Sequence, residues 1–344
     1  MNSFAWIAAR TTHEAAAAAT TTVADAMCTS PGAEEAALAG VVKAGGIDLL
    51  DLLKERLLAP AMLVSLSAIP GLDGIAEQTD GSVRVGAMVS LADLAAHALL
   101  RRRWPALCDA VAGSASQQIR HVATLGGNLL QRPRCWYFRA AAFHCLRKGG
   151  GHCFAIQGES QYHAVFDNST CAIVHPSTAA TVLVALGATV ELTDVNSVVR
   201  RVLLEEFLVS PSHDVQRENN LQPHEILTAI LLPPLSADLH MAHLKQGEKD
   251  SFDWPLADVA VVLDIGSDGI CRRAAIVLGA AAPVPHRATA AQAALLGKRI
   301  DDSVTRAAAR AALDGATPLA KNAYKLPLFE TLVRRAIVKA ADRS

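Results

Sequence analysis

Two Gly-Gly pairs, each set just ahead of a helix-forming run, constrain the fold of this chain more than any other feature. The first, in "KAGGIDLL" (43–50), follows the apolar stretch "LAGVV" and precedes a helical pattern of Leu49, Leu50, Leu52, Leu53 and Leu57. A second apolar run, "APAMLVSLSAI", comes next, so the stretch reads as strand, turn, helix, strand. Glycine lets backbone N–H groups approach a ligand closely, and a helix N-terminus carries partial positive charge, so a pyrophosphate can sit at such a turn. "ATLGGNLL" (123–130) repeats the device with Thr124 and Asn128 as added polar side chains. Neither is the GxGxxG of a Rossmann nucleotide site, and a single Gly-Gly pair is more often only a turn. Together they point to a large nucleotide bridging two lobes.

The other signals divide the chain. Single cores stop growing near ~250–300 residues, so 344 residues imply two or three domains. "THEAAAAATTTVADAM" reads as a helix with a Thr before it as cap, and Ser90 reads as the N-cap of one helix, with another after Pro105. A helix from about Ser177 to Leu186 leads into a strand through Val190. "HEILTAILLPPL" reads as a strand stopped by Pro233 and Pro234, and the change of composition there places a domain boundary near 235. "DVAVVLDIG" and "AAIVLGAAAPVP" read as strands joined by a turn at Ser267 to Gly269, and the remainder is helical, with an Asp cap in "DDSVTRAAARAALDG". Lys plus Arg (32) nearly balances Asp plus Glu (33), which gives no global pull toward nucleic acid or anionic membrane. No stretch reaches the ~20 apolar residues of a membrane span, and "MNSFAWIAAR" has neither an export pattern nor a twin-arginine pair.

Seven cysteines, an odd number, are too few for a secreted disulfide scaffold of this length. Three lie in "RPRCWYFRAAAFHCLRKGGGHC" (132–153), and with a fourth they read C-x9-C-x7-C-x17-C, at Cys135, Cys145, Cys153 and Cys171. The tight CxxC pairs of zinc ribbons and the familiar ferredoxin runs are both absent, so spacing leaves free thiols, zinc and an iron–sulfur cluster open. A [4Fe-4S] core held by four thiolates is negative and costly to desolvate. Arg132, Arg134, Arg139, Arg147 and Lys148 would offset that charge, and Gly149, Gly150 and Gly151 would let backbone amides approach sulfur. The same charges also read as a solvated loop face.

"AGGIDLLDLLK", "ATLGGNLLQR", "LGAAAPVPHRA" and "NAYKLPLFETLVRRAI" resemble, in order and across essentially the whole chain, signatures of the FAD-binding (medium) subunit of the molybdenum hydroxylases, the xanthine dehydrogenase and aldehyde oxidoreductase family. The resemblance implies an α+β protein: a two-lobed FAD-binding domain of the vanillyl-alcohol-oxidase/PCMH type, then a smaller C-terminal α+β domain of the CO dehydrogenase flavoprotein type. The lobes would be residues 1–60 and 61–234, and the C-terminal domain 235–344. FAD would contact Lys43, Ala44, Gly45, Gly46, Ile47, Asp48 and Leu49 in the first turn, and Ala115, Thr124, Gly127 and Asn128 around the second. Ile226 and Leu227 would lie near the flavin ring, with Lys245 as a ring or ribose contact. Two positions depart from the pattern: Ile47 stands where Thr is usual, and Thr178 where an Asp is usual.

"GGNLLQRPRCWYFR", "GGGHC" and "TCAIVHPS" resemble the inserted [4Fe-4S] loop of a subgroup that includes the periplasmic aldehyde oxidoreductases and 4-hydroxybenzoyl-CoA reductase. That resemblance implies an insertion at about 131–172 with Cys135, Cys145, Cys153 and Cys171 as ligands, leaving Cys28, Cys108 and Cys271 structural. It further implies an electron-transfer subunit of a heterotrimer, with a large molybdopterin-binding partner that oxidises aldehydes and a small partner carrying [2Fe-2S] clusters. No catalytic acid–base residue is expected of this chain, and no nucleic-acid or membrane partner. Folding is expected in the cytoplasm, with the periplasm reachable on a partner's twin-arginine signal. Two other readings stand beside this one: an autonomous flavin oxidase of the vanillyl-alcohol-oxidase class, and a zinc-stabilised assembly module without redox activity.

Overall fold

Short apolar runs bounded by turn residues become the strands of three sheets in the computed structural model, which describes residues 2–28, 39–236, 238–249 and 252–342. The first sheet has the order β1-β3-β2, from Ala5–Ala8 (β1), Gly40–Lys43 (β2) and Met62–Ser65 (β3), with both pairings parallel. Parallel neighbours need a crossover, and the helix Ile47–Lys54 supplies it between β2 and β3. Leu49, Leu52 and Leu53 of that helix bury against Val41 and Leu63, while Leu57 lies beyond its end. Strand β1 was not foreseen, because four residues are too few for a periodic signal. The Ala/Thr-rich stretch forms two helices, Thr12–Ala18 and Val23–Cys28, instead of one. The break falls where threonine hydroxyls take over backbone donors: Thr20 Oγ1 accepts from the Gly40 amide at 2.8 Å and Thr22 Oγ1 from that of Asp25 at 3.2 Å.

The second sheet holds Ile75–Glu77 (β4), Val83–Gly86 (β5), Thr189–Asp194 (β6), Val199–Leu203 (β7) and Glu225–Leu232 (β8), antiparallel in the order β4-β5-β8-β6-β7. Central β8 stops at Pro233 and Pro234, which have no N–H for a ladder. Ser90 caps the helix Leu91–Ala96, and Pro105 opens the helix Pro105–Ala112, both as expected. The helix Thr178–Leu186 is capped by Ser177, ends at Gly187, and is buried along its whole length.

That helix is buried because it lies between the second sheet and a third. Leu239–Gln246 (β9), Ala257–Ile265 (β10), Cys271–Gly279 (β11) and His286–Arg287 (β12) pair antiparallel in the order β12-β11-β10-β9. Alternate side chains of β10 serve two cores: Ala260 and Val262 meet the helix Thr178–Leu186, whereas Val259, Val261 and Leu263 meet the C-terminal helices. Among the described residues no helix is long and apolar enough to cross a membrane.

The cysteine-bearing segment, expected as an inserted loop, is bound on two sides. Phe138, Cys145 and Phe154 pack on the first sheet and its helix. Further along, Val165 and Phe166 belong to the C-terminal core, and both their amides donate to Ala281 O. The "NAYK" stretch grips the same place. Asn322 Nδ2 donates to His163 O and Ala164 O, each at 3.0 Å, and Lys325 Nζ donates to His163 O at 3.1 Å and Ala280 O at 2.6 Å.

Lys325 is fully buried, and burial pushes its ammonium down to about 7. The unfolded chain keeps that proton up to ~10.4, so between these values it binds more protons than the folded chain, and stability rises with pH. The expected slope is at most ~1.4 kcal/mol per pH unit above about pH 7, levelling off below it. Urea midpoints from about pH 7 to pH 9 should climb in the wild-type chain and flatten in Lys325→Met; equal slopes would contradict a neutralised buried lysine.

Candidate functional site

A cavity of about 420 Å³ opens between the first sheet, the short helices Gln117–Val122 and Leu125–Leu129 with their flanking turns, and strands β8 and β9. It falls within the ~300–1,000 Å³ typical of cofactor sites. Residues far apart in sequence meet there: Ala44, Gly45, Gly46, Ile47, Asp48 and Leu49 at the first turn, Ala115, Thr124, Gly127 and Asn128 at the second, Ile226 and Leu227 on β8, and Lys245 on β9. Of the expected flavin contacts, Lys43 alone is not on the wall. Its Nζ donates to Ala44 O at 3.1 Å and lies 5.5 Å from the Trp6 ring centroid.

The two glycine pairs act differently. Gly46 takes φ 87°, the left-handed conformation that turns β2 into the helix. Gly45 has another reason: a Cβ there would lie inside contact distance of the Val122 carbonyl, because the end of the helix Gln117–Val122 abuts the first turn. The second pair is not a strand-to-helix turn. Gly126 and Gly127 sit within the helix Leu125–Leu129, whose N-cap Thr124 accepts from the Gly127 amide at 3.1 Å. Helix first turns leave N–H groups without intrahelical partners, and two such turns lie on this wall.

Polar side chains brace the rim. Asn128 Oδ1 accepts from Ser177 Oγ at 2.5 Å, and Thr178 Oγ1 bonds Ser114 Oγ at 2.6 Å. Ala115 adopts φ 51°, uncommon for a residue with a Cβ, and Arg120 Nη1 holds the Ser114 and Ala115 carbonyls at 3.0 and 2.7 Å. Lys245 Nζ donates to Gly113 O at 2.9 Å, and burial lowers its affinity for its proton. Trp254 and Phe252, which nothing in their sequence surroundings marks out, stand exposed at the cavity edge, with the Arg134 guanidinium 4.6 Å from the Trp254 ring centroid.

Behind the wall lies a second, small cavity lined by all four expected cysteines, together with Phe138, Leu146, Arg147, Phe154, His163 and Ile173. Apolar walls push the Cys135 thiol up to about 12. Cys153 and Cys171 interact directly, which lowers the first and raises the second, so Cys153 loses its proton first. Among the described residues no three His, Cys, Asp or Glu side chains are grouped so as to hold a single metal ion. Cys108 and Cys271 stand apart, bonded to the carbonyls of Leu94 and Arg273, whereas Cys28 Sγ lies 4.0 Å from Arg147 O at the margin of the cysteine segment.

The expected surroundings of the sulfurs need two corrections. Amides do face sulfur, but those of Tyr137 and Phe138 at Cys135, and of Ala155 and Ala172 at Cys153. The Gly149 and Gly150 amides are taken up by Leu146 O and Cys145 O in a tight turn, with Gly149 at φ 86°. The arginines mostly face carboxylates. Asp48 Oδ1 accepts from Arg134 Nη2 at 2.8 Å and Arg139 Nη2 at 2.6 Å, and Asp48 Oδ2 accepts from the Arg132 amide at 2.8 Å. Asp48 therefore staples the first glycine turn to the cysteine segment. Arg132 and Arg147 share Glu218; each also faces a thiol, Arg132 that of Cys28 and Arg147 that of Cys171. Lys148 Nζ donates to Ala140 O at 2.7 Å. The sequence reading missed Glu218, since a lone glutamate in the polar stretch "QRENN" carries no local signal. It also missed His163, whose Nε2 lies 3.2 Å from Cys135 Sγ and whose affinity for a second proton burial lowers to a pKa of about 4.

Comparison with known proteins bears on the larger cavity. Residues 2–235 match the family model described as the FAD binding domain in molybdopterin dehydrogenase, and residues 242–340 match the CO dehydrogenase flavoprotein C-terminal domain. The aldehyde oxidoreductase FAD-binding subunit PaoB of Escherichia coli K12 is 34% identical over 299 residues, covering 86% of this chain and 90% of that one. The carbon monoxide dehydrogenase medium chain of Hydrogenophaga pseudoflava is 27% identical, over 87% of this chain and 88% of the relative. A solved carbon monoxide dehydrogenase structure from the same organism superposes with a TM-score of 0.73 at 25% identity, covering 98% of this chain and 97% of its counterpart.

Proposed function

This chain belongs to the FAD-binding medium subunits of the molybdenum hydroxylase family, and from that premise we propose that it is the FAD- and [4Fe-4S]-carrying electron-transfer subunit of an aldehyde-oxidising complex. Its partners are a large molybdopterin-binding chain, where aldehydes are oxidised to carboxylic acids, and a small [2Fe-2S] chain that passes the electrons on. Aldehydes are favoured by the kinship with an aldehyde oxidoreductase subunit. One observation carries the cluster reading: four cysteines scattered from 135 to 171 line one cavity with amides and a buried arginine turned toward their sulfurs.

FAD, when bound, supplies the ring that takes up and gives out electrons, so the chain's part is to bind, orient and shield. Gly45, Gly46 and the first-turn amides of the helix Ile47–Lys54 would hold the pyrophosphate. Thr124, Gly127 and Asn128 would hold the other side of the nucleotide, with Ser177 fixing the Asn128 amide. Ile226 and Leu227 present apolar surface and Lys245 a donor where the ring would lie. Three units would divide this labour, with the expected division 1–60, 61–234 and 235–344 shifted so that the first takes in β3, the centre of its sheet, and with the segment at about 131–172 tying the first to the last. The chain would fold in the cytoplasm, where clusters are assembled, and reach the periplasm only on a partner's export signal.

The purified chain should show flavin absorbance together with broad iron–sulfur absorbance that bleaches with dithionite, and four irons per chain. Cys153→Ser should lose that iron and keep FAD. Four irons retained in the variant would refute the ligand assignment, and flavin without iron in the wild-type chain would refute the cluster.

A further inference from the structure

Arg132, Glu218 and Arg147 form a buried row between the two cavities. Arg132 and Glu218 line the larger one, and Arg147 lines the cysteine cavity. Their side chains are 2%, 4% and 1% exposed. Glu218 Oε1 accepts from Arg147 Nη1 at 2.6 Å, and Glu218 Oε2 pairs with Arg132 Nε at 2.9 Å. Two guanidiniums on one carboxylate leave a net positive charge out of water, which is costly unless a negative group faces it. The guanidinium donors repeat the message: Arg147 Nε and Nη2, and Arg132 Nη1, are buried and make no hydrogen bond among the described residues. The Arg147 guanidinium lies beside Cys171 and favours its charged form.

We propose that Arg147, positioned by Glu218, sets the reduction potential of the group held by the four cysteines, its excess positive charge stabilising the more negative, reduced state. The inference rests on the cluster reading above. One-electron reduction by dithionite adds one negative charge to a [4Fe-4S] centre, with no bond made or broken and no proton taken up in this account. A cation fixed at one ligand sulfur in a low-dielectric site therefore raises the midpoint potential. Removing Arg147 leaves Glu218 and Arg132 as a balanced pair, so the larger cavity feels the change less.

The test is a redox titration of the full purified chain, following the cluster by electron paramagnetic resonance and the flavin by absorbance. Arg147→Met should keep four irons and FAD while its cluster midpoint falls by at least the tenfold change in one-electron equilibrium that corresponds to about 59 mV. The flavin midpoint should move less, and Arg147→Lys should recover most of the cluster shift. Glu218→Gln, which removes the offsetting carboxylate, should move the cluster midpoint the other way. Unchanged cluster potentials with iron present would overturn the inference, and so would loss of iron from both Arg147 variants, since the arginine would then be a structural strut. A wild-type chain lacking iron would overturn the cluster reading and this inference with it.

Discussion

Gly45→Ala should lose FAD. The added Cβ would press into the Val122 carbonyl, a backbone atom at the end of the neighbouring helix Gln117–Val122 that cannot swing aside like a side chain. Overpacking of this kind costs ~1–3 kcal/mol, and because both cavity walls meet at the clash, relief requires moving one wall away from the ligand. FAD affinity should drop about tenfold or more, the equivalent of ~1.4 kcal/mol, read as flavin per purified chain and as a dissociation constant from flavin fluorescence. Gly151→Ala is the matched control: nothing lies within 4 Å of its added Cβ, and FAD affinity should not change. Equal losses in the two variants would show that glycine content, and not the approach of the helix end to the first turn, governs the site.

Glu218→Leu should be the most destabilising single change. It leaves Arg132 and Arg147 as buried, unpaired cations side by side, and breaking one partner of a buried ionic group costs ~3–5 kcal/mol. The triple variant Arg132→Met/Glu218→Leu/Arg147→Met should recover much of that loss, because apolar replacement of a whole buried ionic group is often neutral or better. Urea midpoints of the single and triple variants decide the matter. A triple variant no more stable than Glu218→Leu would mean that the side chains matter for shape and not for charge.

Much of the local structure was legible before any coordinates. Ser90 and an Asp of "DDSV", Asp301, cap the helices they were expected to cap, and Pro105 opens one, because capping depends on the cap residue and the two or three that follow it. The turn at Ser267 to Gly269 joins β10 to β11, with Gly269 at φ 79°. Where the reading went astray, a distant partner decided. Thr20, in the middle of an Ala/Thr-rich helix former, receives the amide of Gly40 from the first sheet, and the helix breaks beside it. The second Gly-Gly pair looked like a copy of the first, yet it lies inside a helix with Gly126 packed on Ala87.

For the candidate site the division is similar. The two Gly-Gly pairs could be marked as ligand-approach points from their residues, Ile226, Leu227 and Lys245 were named through the resemblance to the family's motifs, and all of them line one cavity. Charge could not be assigned in the same way. Five cations around the cysteines suggested one negative centre, but Arg134 and Arg139 pair with Asp48, which lies more than eighty residues earlier, and Arg132 and Arg147 with Glu218, which lies more than seventy residues later.

By itself, then, the sequence determined most of the elements, because hydrophobic periodicity, capping and glycine turns act over a few residues, and its motifs pointed to the family by resemblance. Tertiary structure alone decided that the cysteine segment is clamped between the first sheet and the C-terminal domain, and that a single arginine is left to face its sulfurs. The reason is physical: a buried charge pairs with whichever opposite charge folding brings beside it, and no local pattern records which one that is.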